Sequence, residues 1–282
     1  MALTINTNIS SLVAQSNLAK ATSSLNQAIE RMTTGYKINH AADNAAGYSI
    51  ARNWETQLGS LDVAADNAAT GADMLATLED TYALVTSHVQ RVRDLTEQAA
   101  NGTYGADSLE AIEAEITARL QEIDRITANC EFNGLKMMNA SMSDISLQVG
   151  LYGDANSQIV LSDDLFAKAD VKTLFGGTDT LETIAGKCAS ADAATMLTKI
   201  DDVISTISGR ITTLGAAQNR IDSAIESIAV QSENITSSLS TLRDADIAEE
   251  SSNYIQAQIL QQAAATLLST ANQTPSIALN LL

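Results

Sequence analysis

A chain of 282 residues with 45% apolar content can bury one large core or two modest ones, and its 4% aromatic content and single proline suit long helices packed through small and aliphatic side chains. A formal net charge of −18, from 34 acidic and 16 basic residues, excludes nucleic acid as a partner, because a phosphate backbone is bound by clustered Lys and Arg. No apolar run is long enough to span a bilayer, so no membrane insertion is expected, and the first nine residues lack the basic and apolar blocks of a cleaved signal peptide.

In chain order, the first stripe is Ala14, Leu18, Ala21, Leu25, Ala28 and Met32, ending at Gly35, a residue suited to a left-handed helix cap. A long helical region follows on Leu58, Leu61, Ala65, Ala68, Ala72 and Leu75, then on Leu78, Tyr82, Val85, Val89 and Val92. The step from Leu75 to Leu78 is a three where a four is due, which reads as a stammer that overwinds the coil. The helix is expected to stop at Asn101-Gly102. Beyond that turn, Leu109, Ile112, Ile116, Leu120, Ile123 and Ile126 mark a shorter helix with Ser108 as its N-cap, ended by Asn133-Gly134.

The texture then changes. Six of the 14 glycines fall between Gly134 and Gly186, and the alternating runs 145–149 and 158–161 flank Gly150, Gly153 and Asp154, predicting a β-hairpin with a longer loop. Residues 162–194 are weakly patterned and are expected to form a loop or a tiny surface domain where the chain turns back.

The strongest period comes next. Leu197, Ile200, Ile204, Ile207, Ile211, Leu214, Gln218, Ile221, Ile225, Ile228, Ser232, Ile235, Leu239 and Leu242 alternate in steps of three and four. Such a seam runs for about 70 Å and marks a coiled coil, which no globular enzyme core requires. Arg243-Asp244-Ala245-Asp246 interrupts it, and a last stripe follows on Ile247, Glu250, Tyr254, Ala257, Gln261, Ala264, Leu268 and Ala271. Pro275 is expected to end that helix.

The residues that carry chemistry elsewhere form no constellation here. Cys130 and Cys188 lack metal-site spacing and read as incidental thiols, with a mutual disulfide as the sharper alternative. His40 and His88 stand apart in sequence. Adjacent carboxylates such as Asp163-Asp164, Asp201-Asp202 and Glu249-Glu250 point in different directions on a helix and read as solvated charge. No nucleophile, base and orienter occur together, so no catalytic residue, cofactor or metal is assigned and the chain is not expected to be an enzyme.

The fold expected is mainly α: a long antiparallel, coiled-coil-like helical rod with a small β-hairpin and a short central insertion. Amphipathic helices at both termini flank longer ones, so the ends are expected to pair. Their stripes are rich in Ala, Ser, Thr and Gln and bury little apolar area at about 25 cal/mol per Å², which leaves them in need of further copies of themselves.

Several blocks resemble one family, bacterial flagellin. MTTGYKINHAADNAAGYSIA, residues 32–51, resembles its hinge between the terminal helix and the first long helix; QRVRDLTEQAANGTYG, residues 90–105, with EAEITARLQEIDRI and EFNGLKMM, resembles its inner-rod core. The stretch from LRDADIAEESSNYIQAQIL to the C-terminal LNLL is similar to its last helix. His40, Asn44 and Trp54 depart from the family pattern.

The resemblance implies an extracellular helical homopolymer, exported unfolded without a cleaved signal peptide, whose terminal helices fold on polymerisation. The domains expected are residues 1–42 with 244–282 as the inner filament core, 43–165 with 195–243 as the helical rod domain, the hairpin near 145–161, and 166–194 as a short variable insertion. Leu18, Leu25, Tyr254 and Leu268 are expected in polymer packing, and Arg91, Leu95 and Glu115 match positions through which Toll-like receptor 5 recognises flagellins. The partners implied are the chain itself, the flagellar export apparatus and a secretion chaperone, and hook-associated and cap proteins. The alternatives are a hook–filament junction protein and, from a different class, a cytoplasmic coiled-coil scaffold.

Overall fold

The computed structural model describes residues 7–138, 143–177, 179–190 and 192–279, with burial described as far as Gln273. The chain divides into two compact units, Met1–Leu58 with Glu233–Leu282, and Gly59–Ser232.

The first unit is built on α1 (Ile9–Thr34) and α7 (Ile247–Leu279), with the start of α2 (Ala45–Ala100) and the end of α6 (Ala193–Arg243). Asn8 caps α1 by accepting from the Ser11 amide at 3.1 Å, and Gly35 closes it at φ 75° with its N–H on the Arg31 carbonyl. Asp246 caps α7 by accepting from the Ala248 amide at 2.8 Å. The two helices run antiparallel, with Asn8 beside Ala271, Thr22 beside Gln261 and Arg31 beside Glu250. Ala14, Ala21, Ala28, Ala257 and Ala264 are buried along the seam, alternating with half-buried Leu18, Leu25, Tyr254 and Leu268.

Contrary to the sequence expectation, Pro275 does not end the last helix, which continues to Leu279. A proline inside a helix supplies no N–H to the carbonyl four residues earlier, here that of Ala271. The Asn8 side-chain amide donates to that carbonyl at 2.7 Å. A contact from the opposite end of the chain therefore offsets what the proline withholds.

The second unit packs α2, α3 (Ala106–Asn129) and α6 around one core. Arg93 pairs with Asp201 at 2.7 Å and Gln218 donates to Glu79 at 2.8 Å, so α2 and α6 run antiparallel. Arg91 with Glu115, and Cys130 with Thr81, set α3 antiparallel to α2.

The stammer expected in α2 is absent. The buried positions Leu61, Ala64, Ala68, Gly71, Leu75, Leu78, Tyr82, Val85, Val89, Val92, Thr96 and Ala99 alternate in threes and fours without a break. The sequence reading followed Ala65 and Ala72, which are half-buried, and passed over a glycine that offers no apolar side chain to count. Ser108 likewise does not cap α3, which begins at Ala106 with Gly105 before it.

Short strands follow α3. β1 (Glu131–Phe132) and β2 (Leu135–Lys136) pair across a two-residue turn in which Asn133 and Gly134 have φ of 49° and 80°, the backbone that Asn-Gly favours in tight hairpins. β3 (Ile145–Gln148) and β4 (Gln158–Leu161) form the expected hairpin, in register Ile145 to Leu161. Leu147 occupies a notch in α2 at Gly71, where an added Cβ would lie 2.4 Å from Leu147 Cδ1. The Asn67 side-chain Nδ2 donates to the Gln148 carbonyl at 3.2 Å and holds the strand there.

The apolar residues of the weakly patterned stretch belong to this same core. Phe166, Phe175, Ile184 and Cys188 are buried, with α4 (Val171–Leu174) and α5 (Leu181–Cys188) packed against α3. The Val171 amide donates to Asp124 at 2.8 Å, and Arg210 donates to the carbonyls of Ala167 and Lys168. Cys130 and Cys188 are both free, not paired, and burial pushes both thiols above their ordinary range.

Candidate assembly surface

The pairing of α1 with α7 consumes only one stripe of each helix. Burying an alanine methyl contributes about 0.8 kcal/mol, against about 1.5–3 kcal/mol for a leucine side chain, so a seam floored by alanines is a weak adhesive. Leu18, Leu25, Tyr254 and Leu268 on the seam are only half-buried, and further large apolar side chains lie outside it. Leu12 and Val13 on α1, and Ile255, Ile259, Leu260 and Leu267 on α7, are all exposed, Leu260 at 53% and Leu267 at 63%. The sequence reading missed this second face because it followed the stripe of a single partner. The signal was present, since α7 is apolar on more than one side.

The four residues expected in polymer packing lie along the intrachain seam. Leu18, Leu25, Tyr254 and Leu268 lie half-buried on the α1–α7 seam, and the exposed leucines project from neighbouring positions. A cavity of about 600 Å³ follows this pair, lined by Ala14, Ala21, Ala257, Ala264, Leu260 and Leu267 among others.

Where the terminal helices give way to the long ones, the incoming and outgoing chains are stapled together. Tyr36 and Asp244 form an isolated antiparallel bridge, the Lys37 amide donates to the Arg243 carbonyl at 2.7 Å, and the Ala245 amide donates to the Gly35 carbonyl at 2.8 Å. Arg243 pins the crossing. Its guanidinium stacks 4.1 Å from the Tyr36 ring centre, donates to the Ile38 carbonyl and pairs with Glu55. In the turn before α2, Asp43 accepts from the His40 and Asn39 amides and from Gln27, and the His40 amide bond leads the causes that hold its carboxyl below the usual range. His40 itself pairs with Glu30 at 2.8 Å.

Glu250 corrects the reading of the paired carboxylates as solvated charge. It is 7% exposed and pairs with Arg31 at 3.0 Å, where α7 crosses the last turns of α1. The periodicity already placed Glu250 on the stripe; only the facing arginine makes its burial tolerable.

Of the three receptor-matching positions, two meet at the surface. Arg91 Nε donates to Glu115 at 3.0 Å, both side chains partly exposed. Leu95, four residues further along α2, is at 2% exposure inside the core. Among the described residues no group of three or more His, Cys, Asp or Glu is placed to hold a metal ion, and no helix is long and apolar enough to cross a membrane.

The blocks that build these surfaces match two family models: the bacterial flagellin N-terminal helical region over residues 5–143 and the bacterial flagellin C-terminal helical region over residues 197–282. A flagellin of Listeria monocytogenes is 32% identical over 281 residues, covering 97% of each chain. The chain belongs to the bacterial flagellins. A flagellin of Xenorhabdus nematophila is 35% identical over 312 residues, covering the whole of both chains. In fold, the chain resembles a flagellar hook-associated protein of Vibrio parahaemolyticus, with a TM-score of 0.58 at 13% identity over 72% of this chain and all of that one.

As a flagellin of compact form, the chain is a structural subunit of the flagellar filament, which lies outside the cell and serves motility. The hook–filament junction alternative is not favoured, since the relatives matching along the full length are flagellins.

Proposed function

We propose that this flagellin polymerises by covering the second apolar face of its terminal helices with other copies of itself, and that these helices acquire their fixed structure in that step. The observation that carries the reading is the contrast between the alanine floor of the α1–α7 seam and the exposed row Leu12, Val13, Ile255, Ile259, Leu260 and Leu267. Burial among copies offsets the backbone entropy that a lone pair of helices leaves uncompensated. A contact made head to tail between identical subunits propagates as an open filament when its rotation closes no ring.

In this reading residues 1–42 with 244–282 form the inner layer of the filament, 43–165 with 195–243 the surrounding layer, and 166–194 the variable insertion. Leu18, Leu25, Tyr254 and Leu268 complete their burial on assembly. Export proceeds through the flagellar apparatus without a cleaved signal peptide, with a secretion chaperone, and growth takes place beneath the cap between hook-associated proteins. Arg91 and Glu115 offer Toll-like receptor 5 a charged surface, with Leu95 fixing the helix from the core. Packing, not catalysis, is the function.

The test is the double variant Leu260→Asp, Leu267→Asp, added to filament seeds. The expected result is no elongation, with the melting of the second unit unchanged. Filaments of normal length and yield would contradict the proposal.

A further inference from the structure

Arg31 is the anomaly of the first unit. Its Nη1 donates to Glu250 at 3.0 Å and its carbonyl accepts from Gly35, yet its Nε is buried and has no hydrogen-bond acceptor among the described residues. A buried N–H without an acceptor costs about 1–3 kcal/mol, and more on a charged group, so such an atom requires an explanation. Arg31 lines both the cavity along α1 and α7 and a second one, of about 750 Å³, at the chain crossing. Lys37, Asp43, Trp54, Ser238 and Thr241 are among the residues lining that second cavity.

The chemistry of the missing acceptor follows from the guanidinium. With Nη1 taken by Glu250, the remaining edge presents Nε–H and Nη2–H side by side, the fork that a carboxylate fits with both oxygens. Lys37 and Arg31 are balanced in number by Asp43 and Glu250, and Lys37 Nζ donates to the Thr241 carbonyl at 2.9 Å, so what the site offers a carboxylate is the fork of Nε and Nη2 and not an excess of charge. With 34 acidic and 16 basic residues, one-to-one pairing leaves at least 18 carboxylates in each chain without a cation, since 34 minus 16 is 18. Every neighbouring copy in a filament therefore brings unpaired carboxylates.

We propose that Arg31 is an intersubunit socket: a carboxylate of a second copy of this chain enters the cavity at the crossing and accepts from Nε, while Nη1 keeps Glu250. The inference rests on the polymerisation proposed above and names one of its polar contacts. It joins assembly to the α1–α7 pair, because a single guanidinium then holds a carboxylate within the chain and another from outside it.

The decisive variant is Arg31→Lys, which retains the charge and a donor for Glu250 but loses the planar fork. The critical concentration for seeded elongation is expected to rise about tenfold or more, the size of one charged hydrogen bond. Glu250→Gln serves as the control, since it weakens the internal pair and leaves the fork intact. An equal or larger rise from Glu250→Gln would assign Arg31 to internal clamping and overturn the socket, as would an Arg31→Lys protein that elongates like wild type.

A benzophenone amino acid at position 37 supplies a second readout. Photolysis of filaments is expected to cross-link it to an acidic segment of another copy, and cross-links confined to one chain would refute the inference. Failure of the wild-type chain to elongate at all would sink the polymerisation reading and is distinguished from each of these results.

Discussion

The notch at Gly71 turns the packing of the second unit into a quantitative prediction. Gly→Ala within a helix gains about 0.8–1.0 kcal/mol where the new methyl meets nothing. Gly209 on α6 is such a site, with no atom within 4 Å of its added Cβ. At Gly71 the methyl would sit 2.4 Å from Leu147 Cδ1 and 3.3 Å from Cδ2, so Leu147 must leave its seat. Full burial of a leucine side chain stabilises by about 1.5–3 kcal/mol, and for half-buried Leu147 about 1–1.5 kcal/mol is at stake. Gly71→Ala is therefore expected to fall between neutral and about 0.5 kcal/mol destabilising, while Gly209→Ala stabilises by about 1 kcal/mol. On a Leu147→Ala background the methyl displaces nothing, and Gly71→Ala should recover its gain, a coupling of about 1–1.5 kcal/mol. Urea unfolding followed by circular dichroism, with amide exchange across residues 145–148, measures all four corners of the cycle. Equal stabilisation by Gly71→Ala and Gly209→Ala in the wild-type background would refute the reasoning.

Three further outcomes are expected besides the loss of elongation in the Leu260→Asp, Leu267→Asp variant. Asn8→Asp keeps the acceptor that caps α1 but removes the donor to the Ala271 carbonyl and sets a charge against it, so filaments should disassemble at lower temperature, by about 1–3 kcal/mol per subunit, and unchanged melting would show that this carbonyl does not depend on Asn8. Cys130 and Cys188, buried with thiols pushed above their ordinary range, should react with a thiol reagent about a hundredfold more slowly in the folded chain than in urea, and rapid labelling of either would contradict the packing of α5 and of the end of α3. Asp43 has a folded pKa below its unfolded value, so what it contributes is present above the ordinary carboxylate range and lost as pH falls through the depressed value. Exchange protection of the Asn39 and His40 amides should follow that curve on acidification and become pH-independent in Asp43→Asn; a wild-type profile in that variant would place the titrating group elsewhere.

Much of the architecture was legible because it is local. Steps of three and four located every long helix, Gly35 and Asn101-Gly102 marked real ends, and alternation around Gly150 located the β3–β4 hairpin. The β1–β2 hairpin was legible too, in Asn133-Gly134, but was read only as the end of a helical pattern. How the central segment joins the core was harder to see, since α4 and α5 are too short for a period to emerge and their apolar residues gain meaning only against α3.

The assembly surface divides along the same line. The sequence alone determined that both termini are amphipathic helices with small-residue stripes, because a stripe is the projection of a fixed number of residues per turn onto the chain. Only the tertiary structure decided which apolar residues that stripe satisfies and which it leaves outside, that Leu95 is buried in the core, that Glu250 finds Arg31, and that Asn8 supplies the donor Pro275 lacks. Burial and hydrogen-bond satisfaction belong to pairs of surfaces brought together from distant parts of the chain, and no window along one strand of sequence contains both members of such a pair.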